Sequence, residues 1–422
     1  MTAEVATQDV SGLVDHLFRR EAGKMVSYLT RLFGLGRLNL AEDVVQDTLY
    51  QALETWSMQG LPDNPSAWLM RVARNRAIDL IRRDDHFRTL TPELTYLLQD
   101  GYHAEAPVSE QEIQDDQLRM MFACCHPGLS TEVQITLILK TLCGFSVGEI
   151  SSALLVSADS IEKRLGRARK FLRESVTFEE LAHPSDIGSR LEAVYQAIYL
   201  LFNEGYHASQ SERTVREDLC YEALRLALLL SEHPQGARPK TFALVALFCL
   251  DAARLPGRVD SDGFLIPLEQ QDRSIWDRAL IGQGLRFLER SAAEHEVSAY
   301  HLEAGIAALH SSVDSYARTD WEAIVALYDR LYDLTPTPIV ALNRAIAVGQ
   351  ARGPAAGLRE LERIPALPTL KDYPFYPAAQ GEFHRLAGHI DAARSCFERA
   401  LELARNPAEA RYLERKLAAF SR

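Results

Sequence analysis

FSVGEISSALLVSADSIEKRLGRARKFLR, residues 145–173, is the stretch on which the reading of this chain turns. Ser146-Val-Gly-Glu149 has capping-box form, with a hydroxyl at the helix entry and a carboxylate three residues on, so it predicts a short helix through Leu155. Asp159-Ser-Ile-Glu162 has the same form and predicts a second helix after a tight turn. Two short helices so joined are the outline of a helix-turn-helix. In the second, Ile161, Leu165, Ala168 and Leu172 recur at helical spacing as a buried stripe. Lys163, Arg164, Arg167, Lys170 and Arg173 fall largely off that stripe, with Arg169 near its border. An exposed basic helix in this position suits the major groove of DNA, where Arg and Lys bridge phosphates or read guanine edges.

Upstream, Thr131-Glu-Val-Gln134 also has capping-box form. Further towards the N-terminus, Leu40 to Trp56 predicts a helix with Val45, Leu49, Leu53 and Trp56 on its apolar face. The breaker-rich loop SMQGLPDNPS (57–66) follows, then a helix, SAWLMRVARNRAIDLIRR (66–83), with Leu69, Ala73, Ala77 and Leu80 or Ile81 as its stripe. Within 71–83, Arg71, Arg74, Arg76, Arg82 and Arg83 oppose Asp79 alone. Trp68 beside the loop, with these arginines, has the chemistry to hold unstacked bases, although an aromatic there equally serves as core.

Between the two basic modules, residues 84–118 hold nine acids against one base, Arg88. That composition predicts a solvated tether or an acidic segment that occupies a basic channel in a partner. Over 422 residues the net charge is −12, which argues against a protein that coats nucleic acid non-specifically, while leaving room for local basic surfaces. No apolar run approaches a membrane span, and the N-terminus shows no secretory pattern. With six cysteines in so long a chain, the expected compartment is the cytoplasm. Cys124-Cys-His-Pro127, with Cys143, lacks the spacing of a zinc site, so buried packing is expected and no metal or cofactor is assigned. No phosphate loop or nucleophile–base pattern suggests an enzyme or a catalytic residue.

Residues 184–422 predict helices throughout. Gly381, Ala393, Phe397 and Ala400 match tetratricopeptide spacing. Residues 298–312 are expected to pair with 321–333, and 338–350 with 354–363. Asn203, Glu204, Tyr206 and His207 cluster at a helix end and are expected to form a buried polar network rather than an acid–base or metal site.

AEDVVQDTLYQALETW (41–56) followed by NPSAWLMRVARNRAIDLIRR (64–83) resembles region two of the group IV, or extracytoplasmic-function, sigma factors of the sigma-70 family. ITLILKTLCGFSVGEISSALLVSADSIEKRLGRARKFL (135–172) resembles their region four, in the expected order. YLLFNEGYHAS (199–209) and YHLEAGIAALHSS (300–312) resemble a subclass with a long C-terminal tetratricopeptide-like extension, which is thought to replace control by a membrane anti-sigma factor. The resemblance implies an all-α chain. Residues 1–83 would form the core-docking and −10 domain, 84–117 a linker, 118–180 the −35 helix-turn-helix domain and 184–422 a regulatory domain. It implies core RNA polymerase and promoter DNA as partners, leaves open an unidentified protein or ligand on the C-terminal domain, and implies no membrane partner. Asp43, Gln46 and Asp47 correspond to the helix that docks on polymerase. Trp68, Arg71, Arg74, Asn75 and Arg76 correspond to −10 contacts, and Glu162, Lys163, Arg164, Arg167 and Arg169 to −35 contacts. Glu162 is expected to serve as capping partner, or else to accept from a cytosine amino group. A polymerase-independent helix-turn-helix regulator is the alternative, and it would not need the Asp43–Asp47 helix followed by the loop and Trp68.

Overall fold

The computed structural model describes residues 17–18, 21–83, 110–154, 156–175, 187–206, 215–260, 264–293, 296–364, 373–404 and 407–420. They are helical apart from turns and an isolated antiparallel bridge between Val259 and Leu265. The chain divides into two compact units, residues 1–201 and 202–422.

The first unit begins with α1 (residues 21–33), followed by a 3-10 turn, Leu35–Arg37. α2 (Leu38–Gln59) buries Leu38, Ala41, Val44, Val45, Thr48, Ala52 and Trp56. The buried stripe is rotated from the one expected: Leu53 is 51% exposed. Small Ala41, Thr48 and Ala52 line the seam instead, because close helix approach favours short side chains over a leucine. Gly60, with φ 80°, closes the helix in the left-handed region. α3 (Pro65–Arg83) starts with Pro at its first position and Asn64 as cap, whose Oδ1 accepts from Ala67 N at 3.0 Å. It buries Leu69, Met70, Ala73, Ala77 and Ile78; the Ile81 side chain lies outside the described residues.

α4 (Glu110–Cys124) begins inside the acidic stretch. Asp116 and Gln117 on it are buried, so its end is packed structure rather than tether. The rest of that stretch, residues 84–109, lies outside the described residues. α5 (Thr131–Thr141) is buried on nearly every side and is the hub of the helix-turn-helix. Its cap is Ser130, one residue before the Thr131 expected. Gln134 closes no box on Thr131: its amide donates to the carbonyls of His126 and Leu129, both at 2.8 Å, and pins the preceding turn. His126 packs on Phe171, with centroids 5.1 Å apart, and Cys124, Cys125 and Cys143 are buried. Burial pushes the Cys124 and Cys125 thiols up.

α6 (Val147–Leu154) opens with the expected box: Ser146 N donates to Glu149 Oε2 at 2.8 Å, and Glu149 N to Ser146 Oγ at 3.2 Å. α7 (Ala158–Ser175) does not start at Asp159. Ser157 caps it, accepting from Ser160 N at 3.3 Å. Asp159 then falls in the first turn, where its charge complements the helix dipole. Ile161, Leu165, Ala168 and Leu172 are buried as the period requires.

α8 (Ile187–Tyr206) spans the division between units. In the second unit, α9 (Glu217–Glu232), α11 (Arg278–Ser291) and α12 (Ala299–Ser311) all pack on α10 (Pro239–Ala252). Eleven of α10's fourteen residues are buried, which makes it the hub. α12 packs on α13 (Trp321–Leu334), and α14 (Pro338–Arg352) on α15 (Pro354–Glu362). These are the two pairings expected from sequence. α16 (Phe375–Leu386), α17 (Ile390–Glu402) and α18 (Pro407–Ala418) complete the chain. Gly381 lets α16 approach α17: a Cβ there would stand 3.1 Å from the Phe397 ring and 3.2 Å from the Ala393 carbonyl.

Candidate nucleic-acid interface

The basic helix α7 presents Glu162, Lys163, Gly166, Arg167, Lys170 and Arg173 to solvent, with Arg164 half-buried. Lys163 is held loosely by Asp159 at 3.5 Å, and Arg167 Nε donates to the Lys163 carbonyl at 3.3 Å. Both cationic heads therefore remain on the open face. A Cβ on Gly166 would meet nothing within 4 Å, so a nucleic-acid backbone can come close there. Glu162 is exposed and, with Ser157 as cap, is not the capping partner. The cap expectation is thereby corrected. Arg169 turns away from this face: its guanidinium contacts Glu42 Oε2 on α2 at 2.6 Å. Lys170 was passed over as a site residue on the sequence alone, although its spacing from Lys163 and Arg167 puts it on their face.

On α3, Arg71 and Asn75 are exposed one turn apart, while Arg74 is half-buried. Arg76 pairs with Asp47 at 3.1 Å and donates to Gln51 Oε1 at 3.1 Å, so it braces α3 against α2. Trp68 is half-buried edge-on to Trp56, at 5.4 Å between centroids, and Trp56 in turn meets Phe18 at 5.5 Å. The aromatic ladder anchors one edge of Trp68 and leaves part of it at the mouth of the loop. That loop exposes Leu61, 45% accessible, next to Met58, 78% accessible at the end of α2.

Asp43, Gln46 and Asp47 are exposed on one face of α2. Tyr50 and Leu53 continue that face at 65% and 51% exposure. Acidic groups thus lie beside exposed aromatic and aliphatic side chains on this face. Sequence reasoning missed the apolar half because it assigned Leu53 to the core.

In the second unit, Glu204 and Tyr206 are buried. Arg258 lies 3.5 Å over the Tyr206 ring and donates to its carbonyl at 3.0 Å. Tyr206 and Arg258 thus make a buried polar contact, and Asn203 is half-buried. His207 lies outside the described residues. The described residues hold no helix long and apolar enough to cross a membrane.

Residues 17–87 match the family described as Sigma-70 region 2, and residues 119–172 the one described as Sigma-70, region 4. Residues 190–292 match a family of unknown function, DUF6596. An uncharacterized protein of Rhizobium meliloti (strain 1021) is 38% identical over 90% of this chain and 90% of its own length. RNA polymerase sigma factor CnrH of Cupriavidus metallidurans is 30% identical over 35% of this chain and 78% of its own. ECF RNA polymerase sigma factor SigE of Mycolicibacterium smegmatis is 29% identical over 38% of this chain and 60% of its own. No solved structure matches.

Proposed function

The chain belongs to the extracytoplasmic-function group of sigma-70 factors, and from that premise we propose how its residues divide the work of directing polymerase to promoters. It is an alternative sigma factor with a C-terminal extension. The partners are core RNA polymerase and promoter DNA, met in the cytoplasm, and the chain acts as an initiation factor rather than an enzyme. Residues 1–83 carry docking and −10 recognition, residues 118–180 carry −35 recognition, and residues 184–422 form a tetratricopeptide-like regulatory domain.

The observation that carries the reading is the open face of α7. Lys163, Arg167 and Lys170 point outward from a helix whose opposite stripe is fully buried. Arg164 and Arg167 read bases or phosphates of the −35 element, and Lys163 positions the backbone. Glu162, released from capping, accepts from a cytosine amino group. Arg71 and Asn75, with the free edge of Trp68, hold the −10 element, and Arg74 and Arg76 support the helix that carries them. Asp43, Gln46 and Asp47, flanked by Tyr50 and Leu53, dock on polymerase.

Arg164→Ala and Arg167→Ala each weaken −35 recognition by about 1–3 kcal/mol where the side chain reads a base, measured by promoter competition at fixed salt. Equal promoter activity in both variants would count against α7 as the reader. The extension sets whether the two modules can engage. Removing residues 184–422 changes promoter-specific output or its regulation, and a truncated chain with the output and regulation of the full one would remove that role.

A further inference from the structure

Past the end of α10, the second unit gathers positive charge where it is costly to hold. Arg254 follows α10, Arg273 opens the 3-10 turn Arg273–Ile275, and His310 lies in the last turn of α12. Trp276 ties them together: the Arg254 guanidinium stands 5.4 Å from the centre of its ring and that of Arg273 5.0 Å. Trp276 is 2% exposed, Arg273 4% and His310 8%. Arg273 donates to the carbonyls of His310 and Val313 at the end of α12, at 2.5 and 3.1 Å. Those dipoles answer some of its hydrogens but bring no full negative charge.

Acids do not balance this cluster. Arg254 and Arg258 share Asp251, which stands 3.5 Å from Arg254 and whose ionisation burial opposes. Asp314, the acid beyond Arg273, is already paired with Arg318 at 2.9 Å. Three guanidiniums against one carboxylate leave about two positive charges uncompensated, which is costly in a buried place. His310 feels that field: burial, then Arg254 and Arg273, push its imidazole down to about 3. The hydrogen bonding is lopsided in the same sense. Trp276 Nε1, Arg254 Nε and His310 Nδ1 are buried with no hydrogen-bond partner among the described residues. The first two can only donate. At Gly257 a Cβ would stand 3.1 Å from Trp276 Nε1, so glycine keeps the approach to that N–H clear.

We propose that Arg254, Arg273, Trp276 and His310 form a binding site for phosphate, either as the free anion or as the phosphate group of a small molecule. The chemistry of the ligand follows from what the cluster lacks, which is negative charge and hydrogen-bond acceptors. A phosphate group brings about −1.5 to −2 charges near neutral pH and strong acceptor oxygens. A carboxylate brings a single charge on two oxygens, and so leaves part of the excess unanswered. Arg254 keeps 11% of its side chain exposed, and Tyr316 beside Arg273 is half-buried, so the cluster borders solvent. Two guanidiniums and an indole N–H, from separate segments of the chain, close on one anion through charge-assisted hydrogen bonds. The second unit is then a receptor for a small anionic ligand, a role apart from promoter recognition.

Titration calorimetry on the full-length chain, in phosphate-free buffer, tests this with inorganic phosphate, glycerol 3-phosphate and acetate. Phosphate or its monoester binds at a single site, roughly tenfold or more tighter than acetate. Tighter binding of the monoester identifies a phosphorylated small molecule as the ligand, and tighter binding of inorganic phosphate identifies the free anion. Arg254→Gln removes one charge, and Gly257→Ala crowds the indole N–H. Each weakens binding by roughly tenfold or more. Arg359→Gln, the same change at an exposed position on α15, leaves it unaltered. A thermal melt shows whether each variant is folded, and Arg254→Gln carries the test if Gly257→Ala is not. No binding of phosphate or monoester, acetate binding as tight as either, or binding indifferent to Arg254→Gln would overturn the site. These measurements use neither polymerase nor promoter, so the sigma-factor reading stands or falls separately.

Discussion

Phe145→Ala is expected to cost about 3–5 kcal/mol and to abolish −35-dependent initiation. Phe145 is fully buried in the turn between the hub helix α5 and the first helix of the helix-turn-helix. Its amide donates to the Leu139 carbonyl at 3.0 Å, and its own carbonyl accepts from Lys140 Nζ at 3.3 Å. Gly144 beside it, with φ 65°, makes the reversal that aims the ring inward. Removing the ring opens a cavity where α5, α6 and α7 depend on one another. A module of this size has only about 3–8 kcal/mol to lose. The check is a chemical or thermal melt beside a promoter assay. A loss under about 1 kcal/mol would mean that the ring is not a keystone of the fold.

Phe383→Ala is expected to be as damaging in the second unit, at about 3–5 kcal/mol. The ring packs with Leu342, Ala345, Leu361 and Ala379. Two glycines on neighbouring helices make room for it. A Cβ would stand 2.1 Å from the ring at Gly349 and 2.5 Å at Gly357. The expectation therefore extends to coupling. Gly349→Ala destabilises the natural chain, yet in the Phe383→Ala background it is neutral or stabilising, because its methyl then fills vacated space. A double-mutant cycle by calorimetry reads this directly, and strictly additive costs would contradict the packing described.

The all-α class and the helix-turn-helix were legible because they rest on local signals. Period, breakers and the Ser146–Glu149 box act within one turn of chain, and residues 298–312 and 338–350 pair with their neighbours as short connections require. Details set by competition between neighbouring caps were not legible. Ser157 and Asp159 both offer side-chain acceptors, and only the path of the turn selects Ser157, which in turn frees Glu162. Leu53 reads as core in any hydropathy pattern, but close packing of α2 admits Ala52 and Thr48 and turns the leucine outward. Arg169 reads as one more basic residue of α7. Its partner Glu42 lies 127 positions away, and no local pattern carries such a pairing.

The most direct test of the central claim is run-off transcription by purified core polymerase from a promoter library, with and without the full-length chain. The account predicts transcripts that start at discrete promoters only when the chain is present, and that are weakened by Arg167→Ala. Tight binding of duplex DNA by the chain alone, with no promoter-specific transcript, would contradict it and favour a regulator that works independently of polymerase.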